Sequence, residues 1–219
     1  MDDGLVRMKT FPDRMAASEA AATLMADALR QRLDRDAVGS IAVSGGSTPA
    51  ACLQALAELP LDWQRVAVTL TDERLVAATD PRSNEKMVRE QLLRNHAANA
   101  RFSRLTEEQL PELPMPFAAS LIGMGEDGHF ASLFPDLPGL PELLDPDSPP
   151  AVKKVRSSAS DVLRLTLNLS ALLASDEIVL LAFGDAKRAI IEASAGHPVD
   201  ALLTQTRTPV TVVWAPIQE

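Results

Sequence analysis

The segment Gly123-Met124-Gly125-Glu126-Asp127-Gly128-His129 puts an imidazole two residues after one carboxylate and three after another, in a turn with three glycines. A carboxylate beside a histidine holds the ring in one tautomer and leaves its other nitrogen to take a proton. His129 is therefore the candidate general base, with Asp127 or Glu126 beside it. The segment also matches G-x-G-x-x-G after an apolar run, the pattern of dinucleotide loops. The residues downstream exclude a dinucleotide loop: such a unit needs a helix and a second strand ending in an acid about 20 residues on, and here that distance falls among prolines, with Asp145 and Asp147 in no strand pattern.

Two further turns carry groups that suit an anion. After the apolar run 40–44 come Gly45, Gly46, Ser47, Thr48 and Pro49, then a helical pattern with Leu53 and Leu56 on one face. Glycines let the backbone approach a ligand, hydroxyls donate hydrogen bonds, and Pro49 suits a first helical turn, so the unpaired amides of a helix start are offered to a phosphate. The same residues would serve as an ordinary cap, with Ser47 or Thr48 as N-cap. The lysine and spacing of a nucleoside-triphosphate loop are absent. Gly184-Asp185-Ala186-Lys187-Arg188 is another strand-to-helix turn. It puts Lys187 where the helix dipole disfavours a cation; a bound anion would offset that, and a solvated surface lysine is the competing interpretation.

Thr71-Asp72-Glu73-Arg74 follows a further apolar run and adds a guanidinium and two acids, with a solvated charged turn as the plainer alternative. His96 and His197 lack metal-ligand spacing to each other or to His129, so no metal is expected. Cys52 lies within a helical pattern and is expected to be a small core residue. Neither Ser44 nor Ser47 stands in G-x-S-x-G, which leaves covalent serine catalysis unsupported.

The elements that must position these turns follow from hydrophobic period. Runs at 40–44, 65–71, 117–122, 178–183 and 209–214 are mostly continuous, as in strands covered on both faces. Residues 162–168 alternate instead and predict a half-exposed or edge strand; 5–9 suggests one more. Helical spacing is strongest over 14–33, where Ala17, Ala21, Leu24, Ala28 and Leu29 share a face, and recurs over 84–93 and 185–195. Strands alternating with helices predict an α/β fold, a three-layer sandwich with a mainly parallel sheet between helices. Six of the ten glycines lie just past the ends of three strands, where open α/β sheets hold ligands, so the three turns are expected to meet at one pocket. Six of the sixteen prolines fall in 135–150, which excludes a helix interior or central strand and predicts a long surface loop serving as a lid.

At 219 residues, 46% of them apolar and 23% charged, the chain is expected to form one domain over 1–219. No apolar run nears the ~18 residues of a membrane span. The Met-Asp-Asp-Gly start lacks a signal-peptide pattern and one cysteine excludes an internal disulfide framework, which predicts a cytoplasmic protein. A net charge of −9 repels polyanions, so neither nucleic acid nor membrane is an expected partner, and a small anion needs a local basic pocket. The oligomeric state is left open, with a monomer favoured.

Together, SGGSTP at 44–49, TDER at 71–74, SNEKMVRE at 83–90, GMGEDGHFASLFP at 123–135 and RLTLNLSALLASDEIVLLAFGDAKR at 164–188 resemble the 6-phosphogluconolactonase family, block by block and in order. The resemblance implies a Rossmann-like sandwich related to glucosamine-6-phosphate deaminases. It also implies hydrolysis of 6-phosphoglucono-1,5-lactone in the oxidative pentose phosphate pathway, with no cofactor and a phosphorylated sugar lactone as partner. By position it assigns the phosphate pocket to Gly46, Ser47 and Thr48 with Lys187 and Arg164 as cations, catalysis to His129, and a substrate contact to Arg74, with Asp72, Glu126 and Asp127 shaping the field at the base. The deaminase and isomerase branch has a related block, DGHIAFNEP, whose glutamate serves ring opening. Phe134 stands at that position here, and TDER replaces that branch's DEY, both against deamination. A non-catalytic sugar-phosphate sensor would use the same anion pocket without turnover.

Overall fold

The computed structural model describes residues 5–158 and 161–217. Its first half runs β1 (Val6–Thr10), α1 (Arg14–Arg35), β2 (Gly39–Val43), α2 (Ser47–Ala57), β3 (Val66–Leu70), β4 (Asp72–Arg74), α3 (Asn84–Gln91), β5 (Arg101–Phe102) and β6 (Ala119–Gly123). The second half runs α4 (Leu140–Leu143), β7 (Val152–Val155), β8 (Arg164–Leu167), α5 (Leu169–Leu173), β9 (Ile178–Phe183), α6 (Asp185–Ala193), α7 (Pro198–Thr204) and β10 (Val210–Ala215).

Seven strands form a parallel sheet in the order β1-β10-β9-β6-β2-β3-β5. Every residue of β2, β3, β9 and β10 is buried, as continuous apolar runs require of strands covered on both faces. The repeat of small residues on α1 buries Ala17, Ala21, Met25 and Ala28, and lets the helix lie close against β9, β10 and α2. Asp13 starts α1, its carboxylate accepting from the Ala16 N–H at 2.8 Å. Arg32 and Arg35 end it, favourably placed against the dipole and bound to Asp176 at 2.6 and 2.8 Å. Cys52 is wholly buried in α2, which pushes its thiol up to about 12 and keeps it an inert core side chain.

A second, antiparallel sheet has the order β4-β8-β7. Residues 162–168 therefore supply its middle strand rather than an edge. Alternation reports which side chains are covered, not how many neighbours a strand has. The flanking strands are a three-residue segment of charged residues and a four-residue VKKV, both too short and polar to be read from sequence. The proline-rich segment is a surface loop with the single turn α4, and it does not cover the cleft in this structure. Leu137, Leu140 and Leu143 pack with Phe134 and Val155 in a separate small cluster. Arg207 bonds the Pro146 carbonyl and the Asp147 carboxylate, and no residue of 135–150 lines the cleft beyond the ends of β2 and β6.

Candidate active site

The strand order dictates where a site must lie. From β2 the sheet is extended outward through β3 and β5, and from β6 in the other direction through β9 and β10, so β2 and β6 are neighbours whose following loops diverge. Such a switch point leaves a crevice beyond the strands' carboxyl ends. Ser44 ties the crevice floor together. Its N–H donates to the Leu121 carbonyl at 2.9 Å, and its hydroxyl shares a 2.8 Å hydrogen bond with Thr71. A cleft of about 200 Å³ opens there, and Gly46, Ser47, Thr48, Asp72, Arg74, His129 and Arg164 all line it.

α2 begins at this crevice. Its N-cap is Gly46, at φ +97°, and no side chain caps it. Neither Ser47 nor Thr48 is therefore the N-cap; both lie in the first turn, with their hydroxyls available to a ligand beside unpaired amides. Opposite, His129 Nδ1 lies 2.5 Å from Asp127 Oδ1, which also accepts the His129 backbone N–H at 3.2 Å. Donation from Nδ1–H leaves Nε2 as the proton acceptor. Partial burial raises the Asp127 carboxyl, but hydrogen bonds from the His129 ring and backbone and the charge of the ring outweigh it, and the pKa is held below its ordinary value. Asp127 does not line the cleft; it backs the histidine. Gly125 makes room for the pair, since a Cβ there would sit 2.2 Å from His129 Cε1 and 2.7 Å from Asp127 Oδ1.

The antiparallel sheet supplies the other wall. Arg74 of β4 is paired in register with Arg164 of β8, so two guanidinium side chains start from directly opposed positions. Like charges so placed are destabilising unless negative charge lies near, and Asp72, 3.7 Å from Arg164, supplies part of it. Burial lowers the Arg164 pKa; Asp72 opposes that, Arg74 adds to it, and Glu73 opposes it. The Nε atoms of both arginines are buried without a hydrogen-bond partner. Asp72, itself buried, accepts from the Ser132 hydroxyl at 2.6 Å and stands 3.7 Å from Arg164. Asn84, to which the sequence pattern assigns no role, also lines the cleft: its Oδ1 accepts from Arg74 Nη1 and its Nδ2 donates to the Asp72 carbonyl, both at 2.8 Å. Glu73 fixes Asn84 by accepting the N–H groups of Asn84 and Glu85 at the start of α3, at 2.8 and 2.7 Å. Ser83 before a helical run signals that helix start, but only the bonds to β4 show which way the asparagine is used.

The third turn adjoins this cleft rather than lining it. β9 lies beyond β6, two strand spacings or roughly 10 Å from β2. Lys187 accordingly lines an adjoining recess of about 400 Å³ with Arg14 and Glu126, joined to the cleft through Ser47 and Thr48, which border both. Burial lowers the Lys187 pKa, Glu126 works against that, and Arg14 reinforces it. Among the described residues no cluster of His, Cys, Asp and Glu could hold a metal ion, and no helix is long and apolar enough to cross a membrane.

A parallel sheet with an uncapped helix start and a carboxylate-bonded histidine lining one cleft at its switch point is the arrangement of an α/β enzyme for a small substrate. The model of the family described as glucosamine-6-phosphate isomerases/6-phosphogluconolactonase matches residues 12–218, and the chain belongs to that family. A 6-phosphogluconolactonase of Caulobacter vibrioides is 39% identical over 96% of this chain and 97% of its own. The crystal structure of a 6-phosphogluconolactonase from Shewanella baltica superposes with a TM-score of 0.89 at 34% identity, covering 96% of this chain and 97% of that one. A monomeric glucosamine-6-phosphate deaminase shares the fold, with a TM-score of 0.75 at 18% identity over 96% and 97% of the two chains.

Proposed function

We propose that this chain hydrolyses 6-phospho-D-glucono-1,5-lactone to 6-phospho-D-gluconate, with His129 as general base and no cofactor. His129, bonded to Asp127 and lining one cleft with the Ser47–Thr48 turn, is the observation that carries the proposal. Full-length similarity to proteins named 6-phosphogluconolactonase supports it. The substrate is the phosphorylated sugar lactone, and the chain acts as one domain in the cytoplasm.

The amides at the start of α2, the Ser47 and Thr48 hydroxyls, Arg164 and Lys187 hold the phosphate, which directs the lactone ring toward His129. Nε2 takes a proton from water as the water oxygen adds to the carbonyl carbon, and Arg74 stabilises the oxyanion. Collapse breaks the bond from that carbon to the ring oxygen, which receives the proton from the imidazolium; the new carboxylic acid then ionises. A general base supplies ~10²–10⁴ in rate and one oxyanion donor ~10²–10³, enough for an activated ester without a covalent intermediate.

Deamination is disfavoured by Phe134. Its ring packs against His129 at 4.1 Å between centroids, and the Arg164 guanidinium lies over the same ring at 5.2 Å, so an apolar side chain that cannot carry protons occupies the place beside the base. A coupled assay on freshly generated lactone, read above its spontaneous hydrolysis, tests the proposal; ligand binding without turnover would establish a sensor instead. Two variants extend the test. Lys187→Ala should raise KM by about tenfold or more with a smaller change in kcat, since a phosphate anchor acts alike on ground and transition states. Gly125→Ala should do the reverse, lowering kcat by roughly tenfold to a hundredfold, because its Cβ displaces the imidazole from Asp127. Initial rates over a substrate series separate the two.

A further inference from the structure

The loop that carries the base is held from behind by the start of α7, a contact the proposed mechanism does not use. The ring of His197 reaches the backbone carbonyl of Asp127, with Nδ1 3.1 Å from the oxygen, and the Val199 N–H donates to the Gly128 carbonyl at 3.0 Å. A carbonyl can only accept, so the contact is a hydrogen bond in the tautomer that protonates Nδ1. The packing is close: a Cβ on Gly128, which has φ +76°, would lie 2.6 Å from His197 Cβ. His197 is in turn fixed by Asp200, whose Oδ2 accepts the N–H groups of Gly196 and His197 at 2.6 and 3.0 Å. One imidazole is thereby placed on the main chain of the very residue whose side chain orients the other.

We infer that His197 is a positioning residue, acting through the Asp127 carbonyl to hold the Asp127–His129 pair at the cleft. The inference rests on His129 being the base. The carbonyl and carboxylate of Asp127 belong to one residue, so losing the bond from His197 lets the peptide rotate and carries the carboxylate away from Nδ1 of His129. Val199 still grips Gly128, which bounds the loss: the loop loosens but does not detach.

Three variants at this position separate a hydrogen bond from mere bulk. In His197→Asn the side-chain amide nitrogen stands where Nδ1 stood; in His197→Gln it falls one bond further out; in His197→Ala no donor remains. All three keep the backbone N–H that Asp200 accepts, so that half of the cap on α7 is retained, while the half made by the His197 side chain is lost in the alanine variant. We expect His197→Ala and His197→Gln to lower kcat by about tenfold with KM near the wild-type value, and His197→Asn to recover most of it. Amide hydrogen exchange across 125–129 should quicken in the alanine variant and return toward wild type in the asparagine variant. Equal kcat in His197→Ala and wild type, or equal impairment of the alanine and asparagine variants, would overturn the inference. The exchange measurement judges the brace without reference to turnover: if His129→Ala kept full activity, the base assignment would fall, while unchanged exchange in His197→Ala would sink the brace alone.

Discussion

Replacing His129 by alanine should lower kcat by about 10²–10⁴ and leave KM within a few-fold of wild type. The asymmetry follows from where the residue sits. The residues proposed to hold the phosphate, Ser47, Thr48, Arg164 and Lys187, lie on other elements, so ground-state binding should survive the loss of the ring. What disappears is the acceptor for the proton of water, and lactone carbonyls react slowly with neutral water. The residual rate should stay above the spontaneous one, because Arg74 and the anchored geometry remain. Steady-state rates corrected for spontaneous opening measure this. A variant with wild-type kcat and raised KM would make the imidazole a substrate ligand and remove it from the proton transfer. His129→Gln makes the same comparison with less empty space against Phe134, whose ring otherwise loses its neighbour.

The parts of this site that are legible in sequence are those whose chemistry is local. Strand, glycines and hydroxyls in succession identify the start of α2, because a helix start follows from its own few residues. The Asp127–His129 pair is legible for the same reason, being two residues apart in one turn. The opposed arginines are not. Arg74 and Arg164 are far apart in sequence, and their apposition depends on β4, three charged residues that no periodicity marks as a strand. Asn84 escapes notice on the same account: it lines the cleft because Glu73 holds the start of α3 against β4. The expected convergence of three turns on one pocket is met only in part: Gly184 and Lys187 line a recess that joins the cleft through Ser47 and Thr48. Glycines after a strand reveal a ligand-ready edge but not the order of strands along it, and β6 stands between β9 and β2. The proline-rich segment misleads differently. Its composition forbids long regular structure, yet Leu137, Leu140 and Leu143 are enough to anchor it on Phe134 and Val155, and none of its residues lines the cleft.

Asp127→Asn should lower kcat by about 10²–10³, a larger loss than any at the anchoring residues. The asparagine is the same size, but one oxygen of Asp127 accepts both the ring and the backbone N–H of His129, so a carboxamide that turns its NH₂ to the ring gives up the backbone bond, and one that keeps its oxygen there loses only the charge. What changes at the ring is the sign and the choice of partner. A carboxylate only accepts, which makes Nδ1 the protonated nitrogen; a carboxamide can present its NH₂ instead and select the tautomer with Nδ1 as acceptor. In that tautomer Nε2 carries the proton and cannot take another from water. The asparagine also lacks the charge that stabilises the imidazolium formed during attack. In a serine-protease triad the corresponding exchange costs about 10⁴. A smaller figure is expected here because Asp127 is exposed and water screens part of its field. Nitrogen-15 shifts of the ring distinguish the two causes: a switched tautomer shows Nε2 protonated near neutral pH, whereas loss of the charge alone leaves Nδ1 protonated. Wild-type kcat in Asp127→Asn would mean that the short contact orients nothing that the reaction needs. The acids left would then be Glu126, which lines the recess with Lys187, and Asp72, which is already engaged by Ser132 and Arg164. Neither bonds the imidazole, so a base working without Asp127 would have to act from an unfixed ring.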